Sequence, residues 1–280
     1  MQEKSTIVSW LTTATNMLKQ ADITSARLDA ELILANTLRK NRTYLHAHLD
    51  EEIDQRRVDI AEARLSLRLD RVPLAYILGK KEFYGREFDV SPSVLVPRPE
   101  SEEMINMLLK LAPQDNQPRT LIDVGTGSGC LGITAALELP DNWHVVLSDI
   151  SSKALSVAEK NAKKLGANVF IQKQSLLLGQ FEKLDCILAN LPYVDKGWKN
   201  TSPELHHEPP EALYAGEGGL KLIRELIQQA PKHLTDQELL LIEADEEQHQ
   251  TIIAFGRQNG FLHLETSGLI VALRFVGTKR

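Results

Sequence analysis

From Thr120 onward, short apolar runs alternate with longer segments of helical periodicity, and a glycine-dense turn separates the first pair. Residues 121–124 (Leu-Ile-Asp-Val) read as a strand, 125–129 as the turn and 130–139 as a helix. The alternation continues with strand 144–148, helix 152–165, strand 169–172, strand 185–189, helix 220–234, strand 239–243, helix 246–259 and a last strand over 269–275. Strands joined through helices run parallel, and the helices cover both faces of the sheet. The expected fold class is therefore α/β, Rossmann-like, with a mostly parallel sheet. No internal repeat or low-complexity tract competes with it.

The preceding residues follow another pattern. Ile7, Trp10, Leu11, Ala14 and Leu18 fall at helical spacing, as do Leu28, Leu32, Ala35 and Leu38, with Ser25 as the expected cap of the second segment. Residues 52–70 predict a third, highly charged helix with Ile53, Ile60, Ala63 and Leu67 on its apolar side. Glycine is absent from 1–78, as suits a small helical bundle. At Arg71-Val72-Pro73 the character changes. Gly79, Gly85, Pro92, Pro97 and Pro99 punctuate alternating segments around Phe83 and Phe88, which read as a β-hairpin and extended linker. A helix over 101–111 follows, with Met104, Leu108 and Leu111 on one face. The expected organisation is a helical N-terminal domain over 1–75, a linker over 76–99 and the α/β domain over 100–280.

Composition removes several function classes. With 42% hydrophobic residues in 280, the chain can build a real core. No apolar run approaches the ~18 residues of a membrane span. The opening Met1-Gln2-Glu3-Lys4 lacks the basic-then-apolar layout of a signal peptide, so a cytoplasmic protein without membrane contact is expected. Lys and Arg total 32 against 38 Asp and Glu, a net charge of −6. A protein that tracks a phosphate backbone carries the opposite balance, so stable nucleic-acid binding is not expected. Cys130 and Cys186 both lie inside apolar segments and read as buried free thiols. His206-His207-Glu208 is the nearest thing to a metal motif, but adjacent histidines seldom hold one ion and no further ligands lie nearby, so no metal is expected.

Chemistry concentrates in two places. The first is Asp123-Val-Gly125-Thr126-Gly127-Ser128-Gly129, after a strand and before a helix. Glycines let the backbone turn tightly and let a ligand lie on bare peptide, while the helix start offers unpaired N–H groups, so a nucleotide-like ligand is expected there. Gly127-Ser-Gly129-Cys-Leu-Gly132 also satisfies the dinucleotide fingerprint GxGxxG. Its register is wrong, because the strand ends near Val124 and the turn begins at Gly125. Asp149, ending the second strand, suits a ribose hydroxyl with either cofactor. Spacing alone thus leaves nicotinamide and S-adenosylmethionine both open.

The second place is Asn190-Leu191-Pro192-Tyr193, directly after the strand over 185–189. An amide or aryl NH2 is a poor nucleophile because its lone pair is delocalised. Two acceptors taking its two hydrogens raise electron density on nitrogen and fix its orientation. The Asn190 side-chain oxygen supplies one, and the Leu191 carbonyl, held extended by the following proline, supplies the other. Pro192 stiffens the loop and Tyr193 offers a flat wall for a planar group.

These two segments together resemble the class I S-adenosylmethionine-dependent methyltransferases that modify planar nitrogens. Three further stretches narrow the resemblance to the HemK/PrmC family of peptide chain release factor N(5)-glutamine methyltransferases. They are Arg71-Val-Pro-Leu-Ala-Tyr-Ile-Leu-Gly79 with Phe83-Tyr-Gly85-Arg-Glu-Phe88, then Val94-Leu-Val-Pro-Arg-Pro-Glu100-Ser-Glu102, then Glu208-Pro-Pro-Glu-Ala-Leu213 ahead of Gly216-Glu-Gly-Gly219. The resemblance covers nearly the whole chain. It implies a helical N-terminal domain that docks the protein substrate, a hairpin linker, and a seven-stranded sheet with one antiparallel edge strand.

It further implies a methyl group taken from S-adenosylmethionine, leaving S-adenosylhomocysteine, and placed on the glutamine of a Gly-Gly-Gln motif. In that scheme Gly125–Gly129 holds the methionine portion of the cofactor, Asp149 the ribose, and Ser175 with Leu176 the adenine. Pro97-Arg98-Pro99-Glu100 shapes the rim. Lys196 and Trp198 lie on the loop after Tyr193, which reads equally as a lid or as solvated chain. A monomer is expected. Two positions depart from the family pattern: Leu191 stands where Asn-Pro-Pro-Tyr is usual, and Gln174-Ser175-Leu176 lacks the usual acid. The rival enzyme is an adenine-N(6) methyltransferase of RNA or DNA, whose substrate also presents a planar NH2. A non-catalytic docking module would leave the intact loop and tetrapeptide unexplained, and a nicotinamide dehydrogenase is the weakest rival because nothing after the glycine loop supplies a hydride-transfer acid.

Overall fold

The computed structural model describes residues 5–180, 182–195, 197–198 and 202–277. The opening tetrapeptide and Lys196 lie outside them. The chain divides into two compact units. One runs through Gly79 and includes the distant segment Ser202–His207; the other holds the remainder from Lys80.

The first unit contains α1 (Ile7–Gln20), α2 (Ala26–Leu38), α3 (Arg42–Ala47), α4 (Gln55–Leu69) and α5 (Leu74–Leu78). A capping box of Thr6 and Ser9 starts α1, and its Ile7, Leu11, Ala14 and Leu18 are buried at the predicted spacing. The other two predicted helices are rotated from the expected faces. In α2 the buried residues include Ala26, Ala30, Ile33, Leu34 and Thr37; of the predicted face Ala35 is buried, Leu32 and Leu38 are half-buried and Leu28 is exposed; Ser25 precedes the helix without a side-chain cap bond. In α4 it is Val58, Ala61, Leu65 and Arg68, with Ile60 and Leu67 exposed. Buried charges decided the rotation. Asp29 of α2 accepts from Arg68 Nε of α4 at 2.7 Å, and Arg68 also donates to Glu204 at 3.0 Å. Glu31, equally buried, is ringed by Arg27 and Arg42, each at 2.6 Å, which holds its pKa below the usual range against its own desolvation.

The second unit begins with the hairpin β1 (Lys80–Phe83) and β2 (Arg86–Asp89). Tyr84 and Gly85, both at positive φ, form its two-residue turn, and Phe83 meets Phe88 edge-on with ring centres 6.2 Å apart. Then come α6 (Glu102–Leu111), β3 (Arg119–Val124), α7 (Cys130–Glu138), β4 (Trp143–Asp149), α8 (Ser152–Leu165), β5 (Val169–Lys173), β6 (Leu184–Ala189), α9 (Pro210–Leu213), α10 (Lys221–Gln229), β7 (Leu234–Glu243), α11 (His249–Gln258), β8 (Phe261–Ser267) and β9 (Ile270–Phe275). Seven strands pair in the order β5-β4-β3-β6-β7-β9-β8. Successive residues feed opposite cores. Leu121, Cys186, Leu188, Leu239 and Leu241 pack with α6, α7 and α8, whereas Ile122, Ile187, Leu240 and Ile242 pack with α10 and α11.

Two sequence expectations change. The antiparallel strand is β9, which pairs with both β7 and β8, so it lies one place in from the edge. The edge beside it is β8, whose mixture of polar and exposed residues concealed it from a search for apolar runs. The predicted helix over 220–234 ends at Gln229, where Pro231 leads into a 3-10 turn and β7 begins at Leu234. Among the described residues, no helix is long and apolar enough to cross a membrane.

Candidate active site

β3 lies between β4 and β6, the point where the chain's progression across the sheet reverses. A crevice opens beyond the carboxyl ends of strands at such a point. The registers Val124↔Ser148 and Val124↔Ala189 bring the glycine turn, Asp149 and Asn190 to its mouth. The cleft there encloses about 1090 Å³, counting the part open to solvent, at the upper end for small-molecule sites. Of the predicted residues, Gly125, Thr126, Gly127, Ser128, Asp149, Ser175, Leu176, Asn190, Leu191 and Pro192 line it. Asp123, Gly129 and Tyr193 do not.

The turn holds its shape through a buried carboxylate behind it. Asp123 Oδ2 accepts from Thr126 Oγ1 at 2.6 Å and from the Gly132 amide at 2.9 Å, while Oδ1 has no hydrogen-bond partner among the described residues. Burial pushes its pKa up to about 6, only partly offset by those two bonds. Asp123 thus braces the loop from behind. Gly132, which suggested a dinucleotide fingerprint, is a packing glycine: a Cβ there would sit 2.2 Å from Leu147 Cδ2 and 2.9 Å from Asp123 Cβ. A second brace, Asn161, is wholly buried, exchanges two hydrogen bonds with the Asp89 backbone and donates to the Ser128 carbonyl at 2.9 Å. It ties the turn to the hairpin, a role with no sequence signal beyond a polar residue in an amphipathic helix.

Asp149 presents its carboxylate to the cleft with each oxygen anchored once, to the Gly127 amide at 3.1 Å and the Ser151 amide at 2.8 Å. Lone pairs remain for a hydroxyl donor. Ile150 follows it, 60% exposed on the cleft wall, an apolar surface the sequence reading passed over. Across from it, Gln174 is held by its bond to the Leu176 carbonyl at 2.9 Å, with Leu176 buried at φ +49° and Ser175 exposed. Apolar walls, an anchored acceptor and bare backbone at a helix start are the donor set of a nucleoside carrying an amino-acid tail, so the residues present fit S-adenosylmethionine.

Asn190 Nδ2 donates to Ser101 Oγ at 3.1 Å, which leaves Oδ1 as an acceptor. No intrachain hydrogen bond to the Leu191 carbonyl is found among the described residues. The Leu191 side chain packs against the turn, its Cδ2 3.0 Å from where a Cβ on Gly125 would stand. Tyr193 differs from expectation. Its hydroxyl turns into the protein and donates to Glu243 Oε1 at 3.3 Å, and burial beside that carboxyl raises the phenol's pKa well above its ordinary value. It supports the loop from behind and does not wall the cleft.

Two motifs without an assigned role complete the rim. Glu208, fully buried, accepts from the Val96 amide at 3.0 Å and pairs with Arg98 at 2.5 Å, clasping the segment before α6. Gly219 lies so close to the tetrapeptide that a Cβ would stand 1.9 Å from the Tyr193 carbonyl oxygen, and Gln248 Nε2 bridges that oxygen (2.9 Å) to the Gly218 carbonyl (2.7 Å). Trp198 is half-buried, its amide on the Asp195 carbonyl at 3.1 Å. His206 and His207 are exposed, and no metal-binding cluster exists among the described residues. Cys130 opens α7 beside the cleft, but burial of its thiol pushes the pKa up to about 12, so it is no nucleophile.

Residues 9–79 match the PrmC N-terminal domain family and residues 103–259 the methyltransferase small domain family. The release factor glutamine methyltransferase of Koribacter versatilis is 41% identical over 227 residues, 78% of this chain and 78% of that protein. That of Deinococcus radiodurans is 35% identical over 271 residues, 96% and 97%. The hMettl16 catalytic domain, solved with an RNA hairpin, superposes with a TM-score of 0.53 at 16% identity, covering 79% of this chain and 80% of that one; it shares the fold. Identity above one third across nearly the full length of both proteins, together with matches in both halves, makes the chain a member of the release factor glutamine methyltransferase family.

Proposed function

We propose that this chain transfers a methyl group from S-adenosylmethionine to the side-chain amide nitrogen of the glutamine in the Gly-Gly-Gln motif of peptide chain release factors. The observation that carries the reading is the pair of acceptors, Asn190 Oδ1 and the Leu191 carbonyl, set at the end of β6 next to the glycine turn. When bound, S-adenosylmethionine supplies an electrophilic methyl group already attached to an excellent leaving group. Gly125–Gly129 would hold its amino-acid portion, Asp149 its ribose, and Ile150 with Gln174–Leu176 its adenine. Asn190 and Leu191 each accept one N–H of the substrate amide, which raises electron density on nitrogen and fixes its plane. Pro192 holds Leu191 extended so that its carbonyl stays available. The proton released from the methylated nitrogen passes to solvent, so no side chain is needed as a strong base.

An adenine amino group would engage the same two acceptors. Family membership and the net charge of −6 favour the protein substrate over RNA or DNA. The reading includes a monomer, no stable nucleic-acid binding, and docking of the release factor by the helical unit. The test incubates the full chain with labelled S-adenosylmethionine and, in parallel, a release factor or RNA. Mass spectrometry should place one added methyl on the Gly-Gly-Gln glutamine. Label found only on RNA would overturn the assignment.

A further inference from the structure

The ends of β6 and β7 are neighbours, Ala189 opposite Ile242, so the next residues, Asn190 and Glu243, face one corner of the sheet. Glu243 is 1% exposed and ends an otherwise apolar strand. A carboxyl so placed is costly to desolvate unless donors surround it. The Tyr193 hydroxyl bonds Oε1 directly, and Oε2 has no hydrogen-bond partner among the described residues. The Ser101 and Asn190 side chains face the same carboxyl, and with Tyr193 they counter part of the upward push of burial on its pKa. Ser101, itself 2% exposed, already accepts the Asn190 amide hydrogen at 3.1 Å, so its own hydroxyl hydrogen is free to point at Glu243.

Standing between that carboxyl and the Asn190 amide, Ser101 can give the cluster a direction. A serine oxygen is both donor and acceptor and, left alone, would take an asparagine amide either way round. With an acceptor behind it, the serine hydrogen is committed, and only the Nδ2 end of Asn190 fits. We propose that Glu243 is a positioning residue: through Ser101 it orients the Asn190 amide with Nδ2 inward, so that Oδ1 alone faces the substrate. Reversed, Asn190 would meet the substrate NH2 with its own NH2. The inference rests on the role proposed for Asn190 and adds the device that keeps it in register.

The test uses Glu243→Gln, Ser101→Ala and their combination in the full chain, with a release factor and S-adenosylmethionine. The side-chain amide that Glu243→Gln introduces can donate to Ser101, freeing the serine hydrogen for Asn190 Oδ1 and permitting the flip. Glu243→Gln is expected to lower kcat about tenfold to a hundredfold, within the range for losing one oriented partner, with cofactor Kd within about twofold. Ser101→Ala should cost a similar factor, and the double variant no more than either alone. In an Asn190→Ala background, Glu243→Gln should change kcat by less than about twofold, which a merely structural carboxyl would not do. Wild-type kcat in Glu243→Gln overturns the proposal. So do multiplying effects in the double variant, or an undiminished effect without Asn190. If Glu243→Gln does not fold, Ser101→Ala decides, since wild-type kcat there breaks the relay. Failure of the function itself would show separately, as a wild-type chain that does not methylate the release factor.

Discussion

Replacing Gly219 by alanine, with Gly218→Ala as its control, tests whether the Asn190–Tyr193 loop is held by contact from behind. The two glycines are adjacent and both have positive φ, +67° at 218 and +82° at 219, so each substitution carries the left-handed penalty of about 1–2 kcal/mol. Only their surroundings differ. A Cβ at 218 meets nothing within 4 Å, whereas one at 219 would stand 1.9 Å from the Tyr193 carbonyl oxygen, 2.6 Å from its carbon and 2.5 Å from Gln248 Nε2. Real Cβ contacts of this kind do not fall below 3.0 Å, so the tetrapeptide must retreat by about 1.1 Å. The obstacle is backbone, which cannot rotate away. The Gln248 bridge to Tyr193 and Gly218 is lost as well, two bonds of about 1 kcal/mol each. Gly219→Ala is therefore expected to cost roughly 3–4 kcal/mol of stability against about 1–2 for Gly218→Ala. Because a displacement near 1 Å at a positioning group costs about a hundredfold, kcat should fall by that order in Gly219→Ala alone. Thermal melts and initial rates of methyl transfer to a release factor read both quantities. Equal kcat in the two variants would refute the claim that this contact sets the loop.

Three further outcomes are expected. Asn190→Ala removes one of the two acceptors and should lower kcat by about 2.7–4 kcal/mol equivalent in the chemical step, read in single-turnover assays with the cofactor saturating. Leu191→Ala keeps the carbonyl but removes a buried side chain, so it should cost about 2–3 kcal/mol in thermal stability while kcat falls far less than in Asn190→Ala. Asp123 is raised from an ordinary 3.8 to about 6 in the folded protein, so the fold binds its proton more tightly than the unfolded chain does. Its contribution to stability is present at low pH and is lost as pH rises from about 4 through 6. Asp123→Asn should therefore flatten that limb, with the wild type losing about 2–3 kcal/mol more than the variant between pH 4 and 7 in denaturant titrations.

Legibility in the sequence followed how local each cause was. The strands of the parallel sheet announced themselves because burial on both faces demands unbroken apolar runs, as in Leu239–Ile242. β8 did not, because an edge strand keeps polar residues such as His263 and Glu265 on partly exposed faces. The rotations of α2 and α4 were misread for a related reason. Periodicity of leucines assumes that charge faces water, yet Asp29, Glu31 and Arg68 are buried because they pair with one another or with arginines from neighbouring segments. Partners 39 residues apart, as Asp29 and Arg68 are, leave no trace in a window of one helix.

The site divides along the same line. Residues that line the cleft lie in contiguous stretches, since a tight turn or a proline-stiffened loop is made by neighbours in the chain; hence Gly125–Ser128 and Asn190–Pro192 were readable. Residues that hold those stretches still come from other elements: Asn161 from α8, Ser101 from the turn before α6, Gln248 from beyond β7, Glu243 from its end. Asp123 was read with the glycine turn it precedes and Tyr193 as a flat wall for a planar group, yet the polar atoms of both are engaged inside the protein. One signal could have separated them. Glu243 is an acid closing an apolar strand at the carboxyl edge of the sheet, and a carboxyl in that setting calls for hydrogen-bond partners nearby. The same desolvation that makes such a carboxyl costly to bury makes it directional, because every donor around it is forced to point one way. In the proposed relay, support of this kind sets which end of Asn190 faces the cleft, a choice that the Asn-Leu-Pro-Tyr sequence by itself leaves undetermined.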